Sequence, residues 1–435
     1  MRGRKGYFCG RADSCPKKMP PFDSGLIAVV GGGPAGALTA ASLARAGRRV
    51  TLFEAKLAWE KPCGGGLTYK ALVEWPFLAR AHVERNWVRD CELISASGRR
   101  VTFLLKEPIA IFSRQVLNGL LLNRATDAGA QLVHDRVLGI ERRGQRWRLH
   151  SSGSSWEADY VVIAAGARNT FRKQFCHAFA PEDLMVTAGY YIPGRSQLMQ
   201  IQFLHDLHGY IWIFPRADHF SAGICGKMHA KSAAELRSLL ERTLKGVGLA
   251  YDGVQFYSHI LPSLRASTLS ETPISGPGWA MVGDAAGFVD PMTGEGLYYA
   301  LRSGDLLSQA LLANQPESYP KKLRQDFLPE LEIAAQMADR FYTGRWMGEA
   351  VIERTLQLTA GSPSFRALLS DLFAGTQTYS NLRSRLYRTL PRMLAESLAS
   401  ALRLPMGDAA EKDQSPPRPE SLTREEEPVT AGQRN

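Results

Sequence analysis

Residues 27–36, Ile-Ala-Val-Val-Gly-Gly-Gly-Pro-Ala-Gly, limit what this chain can fold into more than any other stretch, and Arg-Val-Thr-Leu-Phe-Glu at 49–54 closes the unit they open. The apolar, β-branched start predicts a buried strand. Gly31, Gly33 and Gly36 then stand as G-x-G-x-x-G around Pro34 and Ala35. Such a spacing gives a tight turn, a close backbone approach to a pyrophosphate, and tight packing of the next helix on the sheet. That helix, over roughly 35–46, is rich in Ala and Leu and stops at Gly47, so its first turn offers free N–H groups and a partial positive charge to phosphate. Glu54 ends the second strand, where a carboxylate can accept the ribose hydroxyls of an adenosine. Strand, helix and acid in register favour a nucleotide-binding βαβ unit over a glycine turn that binds nothing.

At 435 residues the chain has room for two or three domains with cores of their own. Its 45% hydrophobic and 22% charged residues describe a globular protein. No uninterrupted apolar run of about 18 residues occurs outside the first βαβ unit, whose glycines and Thr39 argue against a span, so no transmembrane helix is expected. Residues 1–25 carry six Lys/Arg and two Asp but no apolar h-region, and read as a disordered basic arm rather than a secretory signal. Cys9, Cys15, Cys63, Cys91, Cys176 and Cys225 include no C-x-x-C and have no histidine at ligand spacing. That suits a reducing cytoplasm and no metal site. None follows Cys225, which argues against a C-terminal iron–sulfur cluster. The formal charge of +11 points to an acidic partner. No nucleic-acid module is visible, so an anionic membrane surface or a phosphorylated substrate is the better expectation.

The sequence at 61–68, Lys-Pro-Cys-Gly-Gly-Gly-Leu-Thr, is too irregular for a strand or helix. Three consecutive glycines, Gly65 and Gly66 among them, let backbone approach a flat ligand, with Cys63 at the edge of that approach. Standing alone, the loop would more often be a flexible surface turn. Ser113-Arg114-Gln115 opens a helix to about Ala128, with Leu117, Leu120, Leu121 and Leu122 on its apolar side. Arg114, at its entry, can pair with a phosphate or cover a ring, although a lone arginine is more often a solvated charge. A strand at 131–134 and a hairpin over 139–159 lead to the buried strand of 160–167, whose terminal turn at Gly166 falls where a doubly wound sheet lines its ligand crevice. From about 185 to 274 the pattern becomes that of a separate antiparallel sheet. Within it Tyr210, Trp212 and Phe214 share one face of a strand. They form either a core layer or the wall of a site for a long apolar ligand, and the residues alone favour the core. A further strand ends in Gly283-Asp284, and after a glycine-punctuated loop a helix begins near Gly296. Asp284 can accept ligand hydroxyls, and the free N–H groups at 294–297 suit an anion. Beyond 315 the chain reads as helical. Over 391–404, Leu394, Leu398 and Leu402 recur at i, i+4, and 383–403 holds five arginines and one glutamate. Such a segment lies on an anionic membrane or packs on the domain, the second being commoner. From 406 the polar, Pro-rich tail reads as disordered.

Taken in order, Gly31-x-Gly33-x-x-Gly36 with Glu54, Pro-Cys-Gly-Gly-Gly-Leu at 62–67, Tyr210-x-Trp212-x-Phe214-Pro215, and Gly-Asp-Ala-Ala-Gly at 283–287 through Gly294-Glu295-Gly296 resemble the geranylgeranyl reductase family of flavoproteins. The resemblance spans roughly residues 26–310. It implies bound FAD and a two-domain fold similar to p-hydroxybenzoate hydroxylase: an α/β, Rossmann-like FAD-binding domain over 26–97, 113–180 and 275–312, and an antiparallel β-sheet substrate domain over 98–112 and 181–274. A C-terminal helical region, 313–405, completes it. By the same resemblance Gly31, Gly33, Pro34, Ala35 and Gly36 hold the pyrophosphate and Glu54 the ribose. Arg114, Val137 and Gly166 lie along the cofactor, Gly283 and Asp284 at its ribityl or pyrophosphate end, and Gly294, Gly296 and Leu297 against the flavin. Gly65, Gly66, Tyr210, Trp212 and Phe214 then border an isoprenoid chain. Related hydroxylases carry Asp-Gly where this chain has Ala165-Gly166, and that aspartate is linked to nicotinamide use. The reductant is therefore NADPH or a ferredoxin- or flavodoxin-like carrier, for which a basic surface is suited.

Members of the family saturate isolated trisubstituted alkenes. No carbonyl activates such a bond, so hydride delivery must be coupled to protonation in a dry pocket that tolerates positive charge. A desolvated cation over an aromatic ring gains about 2 kcal/mol. Cys63 is the catalytic candidate, orienting substrate or relaying a proton, since a thiol of pKa about 8.5 is a weak acid. The expectation is a reductase of a geranylgeranyl group, a prenyl lipid or a menaquinone side chain, peripheral on the inner membrane face. A flavin monooxygenase or halogenase of similar fold is the alternative, although halogenases carry W-x-W-x-I-P, from which Tyr210 and Phe214 depart. A flavoprotein that passes electrons to quinone is a third.

Overall fold

The computed structural model describes residues 25–402 apart from Met347. The tail expected from 406, and all of the basic arm but Gly25, lie outside the described residues. A six-stranded sheet has the order Ser275–Gly276, Trp279–Met281, Tyr160–Ile163, Leu26–Val30, Arg49–Phe53, Gln131–Val133, parallel except at its first, two-residue edge. Leu26–Val30 sits at its centre, with Ile27 in register with Tyr160 on one side and Val50 on the other. The strands read as apolar runs because both faces are covered. Val29, Leu52, Val161, Val162 and Ile163 are wholly buried, each contributing about 1.5–3 kcal/mol over the exposed state. The helix Pro34–Arg45 packs on Leu297–Leu312 where Gly304 stands 2.6 Å, as judged from an added Cβ, from Thr39 Oγ1. No larger residue fits between them.

The second sheet has eight strands in the order Phe256–Pro262, Leu184–Pro193, His219–Lys227, Gly209–Pro215, Leu198–Gln202, Asn86–Ile94, Arg100–Ile111, Gly66–Leu67. Two of these, Gly66–Leu67 and Asn86–Ile94, come from the 26–97 stretch expected in the FAD-binding part. Asn86–Ile94 pairs along Arg100–Ile111, and the pairing carries it out of the first sheet. A helix, Ala233–Gly246, also interrupts the expected run of strands. Ser232 and Glu235 form its capping box, and Leu236, Leu240 and Leu244 bury against Ile211 and Ile213. On the sheet's other face, Tyr342, Ile352 and Leu356 of the helices Leu328–Thr343 and Val351–Gly361 cluster with Phe103, Ile109, Met199 and Ile201. Two more helices, Pro363–Ala374 and Tyr379–Ala401, complete this cover.

Candidate active site

Between the two sheets and the C-terminal helices lies a cavity of about 1500 Å3, larger than the roughly 300–1000 Å3 of an ordinary small-molecule site. Its first end is framed by the opening βαβ unit. Gly31 has φ +110° and an added Cβ would lie 2.4 Å from the Ala164 carbonyl oxygen; at Gly36 it would lie 1.9 Å from the Gly31 oxygen. Those two glycines are needed by the fold. Gly33 differs: it borders the cavity with Pro34 and Ala35, and an added Cβ would meet nothing within 4 Å. Its space is open to a ligand, before a helix whose N-terminus has no side-chain cap. Glu54 Oε2 accepts the Gly32 N–H at 2.7 Å and Oε1 the Lys56 N–H at 2.9 Å, which fixes the carboxylate at the rim. Val137 and Gly166 also border this end, Gly166 with φ +74°.

Arg114 is 3% exposed, donates to Asn118 Oδ1 at 3.2 Å, and leaves Nε without a partner. A buried, half-satisfied guanidinium beside the cavity suits an anionic or carbonyl ligand. Opposite, Lys61 Nζ lies 2.8 Å from Asp284 Oδ2. Burial alone would raise the Asp284 pKa, but the Lys61 charge and hydrogen bond, with smaller contributions from Arg114 and His259, together hold the carboxyl below its usual value. Burial, reinforced by Lys61, pushes His259 down to about 3, so this imidazole is neutral. Gly283 has φ +59° and donates to Ser303 Oγ at 2.9 Å; Gly294 has φ +73°, and Gly296 precedes the uncapped helix that starts at Leu297. A second helix N-terminus thus borders the cavity.

The 61–68 loop is not a flexible surface turn. The Cys63 carbonyl accepts Arg216 Nη2 at 2.7 Å and Ser221 Oγ at 2.8 Å, and its Sγ accepts the Gly65 N–H at 3.3 Å. Gly65 has φ +88°, and an added Cβ would overlap the Phe112 carbonyl oxygen at 2.1 Å; at Gly64 one would meet the Phe214 ring at 2.7 Å, and at Gly66 the Ile109 side chain at 3.4 Å. Arg216 is 1% exposed and pairs with Glu60 at 2.6 Å. Glu60 also accepts the Ser113 hydroxyl and the N–H groups of Arg114 and Gln115, at 2.9 and 3.2 Å. Burial would raise its pKa, but Arg216 and these donors together lower it. One carboxylate therefore caps the Arg114–Asp127 helix and anchors the cysteine loop. Sequence reasoning passed over Glu60, Lys61 and Arg216, because isolated charges carry no spacing.

Tyr210, Trp212 and Phe214 border the cavity, while Ile211 and Ile213 alternate with them into the core on the other face. Trp212 Nε1 donates to Ser221 Oγ at 3.2 Å, and its ring lies over Gly223, where an added Cβ would stand 2.2 Å from it. Past this strand the cavity is apolar, bordered by Met337, Phe341, Leu368, Phe373 and Leu386, and it reaches Tyr387, Leu390 and Leu394 on the last helix. Apart from Leu394, read as part of an amphipathic segment, these helical residues were unassigned in the sequence, since an apolar stripe looks alike whether it meets a core or a cavity. Glu295 borders the cavity and accepts the Thr68 hydroxyl at 3.2 Å. Burial, with the neighbouring Asp290, raises its carboxyl to about 7.

An open glycine cradle, a rim carboxylate and a second uncapped helix start fit FAD, and residues 26–176 match the family model described as pyridine nucleotide-disulphide oxidoreductase. These features define an FAD-dependent oxidoreductase. Its fold is that of a geranylgeranyl bacteriochlorophyll reductase-like protein from Thermoplasma acidophilum, 20% identical, with a TM-score of 0.66 over 87% of this chain and 99% of that one. A flavin-dependent brominase shares the fold at 17% identity, with a TM-score of 0.63 over 84% of this chain and 99% of its own. A chloroplastic geranylgeranyl diphosphate reductase of Oryza sativa subsp. japonica is 30% identical over 401 residues, which cover 81% of this chain and 83% of that protein. The chain belongs to the geranylgeranyl reductase family.

Proposed function

We propose that this protein saturates carbon–carbon double bonds in the geranylgeranyl chain of a membrane-borne lipid. The observation that carries the substrate class is the apolar continuation of the cavity, past Trp212 and between the C-terminal helices, to an exposed apolar stripe. FAD, when bound and reduced, supplies the hydride. The remaining roles belong to the chain. Gly31, Gly33, Pro34 and Ala35 hold the pyrophosphate, with Gly36 seating the helix that follows against Gly31, Glu54 the adenosine ribose, Arg114, Val137 and Gly166 the length of the cofactor, and Gly283 and Asp284, with Lys61, its ribityl end. Gly294, Gly296 and Leu297 border the flavin. Tyr210, Trp212 and Phe214, with Gly65 and Gly66, exclude water from the reacting alkene, and the aromatic faces tolerate positive charge there. Cys63, fixed by Arg216 and Ser221, orients the chain. Glu295, whose carboxyl keeps a proton near neutrality, is suited to hold the proton that must accompany hydride. A small carrier protein is the favoured reductant, since Ala165 replaces the acid of related hydroxylases.

The exposed stripe Tyr387, Leu390, Leu394, Leu398 and Leu402, flanked by Arg383, Arg388 and Arg392, supports peripheral docking on an anionic bilayer. No helix among the described residues is long and apolar enough to cross a membrane. The test is mass spectrometry of prenyl lipids after incubation with chemically reduced protein. A gain of two hydrogens per event without air supports the proposal. Added oxygen or halogen, formed only in air, would instead favour a monooxygenase or halogenase.

A further inference from the structure

The loop at 290–296, which leads into the Leu297–Leu312 helix, is closed on itself by Asp290 N–H to the Glu295 oxygen and Gly294 N–H to the Asp290 oxygen, both 2.8 Å. Asp290 Oδ1 also accepts the N–H groups of Met292 and Thr293, at 2.8 and 3.3 Å. Three tyrosine hydroxyls reach this one loop from three separate elements. Tyr210, from the aromatic strand, donates to the Thr293 carbonyl; Tyr342, from the Leu328–Thr343 helix, donates to the Met292 carbonyl at 2.5 Å; and Tyr379, the first residue of the last helix, donates to Asp290 Oδ2 at 2.8 Å. Tyr379 N–H also reaches Glu330 Oε2 at 2.6 Å, which ties the last helix to Leu328–Thr343.

We infer that Tyr342 and Tyr379 are positioning residues for the reaction: through them the helices that border the apolar end of the cavity hold the 290–296 loop that borders its flavin end. All three tyrosines border the same cavity, so a chain that fills the apolar end presses on the side chains that hold the loop. Burial raises each phenol far above its usual pKa, so all three remain donors at any working pH. The inference rests on the cavity's reading as a joint flavin and prenyl site. It goes further in making the two ends mechanically dependent, with the Tyr342 bond to a backbone carbonyl and the Tyr379 bond to the Asp290 carboxylate as the link. A network of discrete hydrogen bonds is a physical route for such coupling.

The test uses the full-length, FAD-loaded protein, its Tyr342→Phe and Tyr379→Phe variants and the double variant, with geranylgeraniol as probe. Binding is measured by calorimetry, and the perturbation of the flavin's visible absorption by the probe is recorded in parallel. Wild-type protein should show a saturable perturbation. The variants should keep their flavin and bind geranylgeraniol within about threefold of wild type, while the perturbation falls by at least half in each single variant and further in the double. Each change removes one oxygen and keeps the ring in place, and Tyr379→Phe provides the readout even where Tyr342→Phe reduces the yield of folded protein. A full perturbation in Tyr379→Phe would overturn the inference alone. Wild-type protein that retains flavin but binds no geranylgeraniol would overturn the reading of the cavity and the inference with it.

Discussion

Among single residues, Gly33 and Gly36 separate cofactor binding from folding. An added side chain at Gly33 enters open cavity space, whereas at Gly36 it strikes the Gly31 carbonyl at 1.9 Å. Gly33→Val should therefore fold with an unchanged melting temperature and emerge colourless, while Gly36→Val should fail to fold; a yellow, fully loaded Gly33→Val would remove the phosphate-cradle assignment. Arg216→Met leaves Glu60 and the Cys63 carbonyl without their shared donor. Losing one partner of a buried pair costs about 3–5 kcal/mol, and since the Glu60 side chain is 23% exposed the lower part of that range is expected in denaturant titrations. Glu295 sets a pH dependence. Its folded pKa of about 7 lies above the ordinary 4.5, so its contribution to stability is complete below about pH 4.5 and is lost as pH rises through 7. Thermal melts of Glu295→Gln should gain on wild type more at pH 8 than at pH 5, and an equal difference at both would refute the buried-proton account. Of these residues, Gly33 and Gly36 were legible because their spacing is a backbone requirement. Glu60, Lys61 and Arg216 were not, because each acts through a partner 53 to 223 positions away.

Among the elements, the parallel strands and the Pro34–Arg45 helix could be read directly, since burial on both faces leaves unbroken apolar runs. The aromatic strand could be read only in part. Period two put Tyr210, Trp212 and Phe214 on one face, but whether that face met core or cavity depended on helices 120 and more residues further on. The Ala233–Gly246 helix was missed although Ser232 and Glu235 at capping-box spacing marked its start. The alternating pattern around it outweighed the local signal. On the last helix Leu394 and Leu398 are 57% and 61% exposed. Replacing both by aspartate should leave thermal stability unchanged and lower co-sedimentation with anionic vesicles at least several-fold. Truncation would be a poorer probe, because Tyr379, Leu382 and Met393 of the same segment are engaged with the body of the protein. Unchanged vesicle binding by the double aspartate variant would discard the docking role of this helix.

Over the whole molecule, two sheets and a helical cover enclose one continuous space, glycine-framed and polar at the βαβ end and apolar at the other. The first is the general FAD-binding half of the fold, shared with a brominase. The second is the space that the proposed function fills with a prenyl chain. Trp212→Ala should accordingly weaken binding of geranylgeraniol without bleaching the protein, and unchanged binding would remove Trp212 from the hydrocarbon site. The most direct test of alkene reduction is a single turnover without air, in which fully reduced protein is mixed with geranylgeranyl diphosphate or a geranylgeranyl lipid and flavin reoxidation is followed alongside product mass. Reoxidation of one flavin for each two hydrogens gained by the chain is the predicted result. Flavin that stays reduced until air is admitted, with the chain unaltered or carrying oxygen or halogen afterwards, would contradict it.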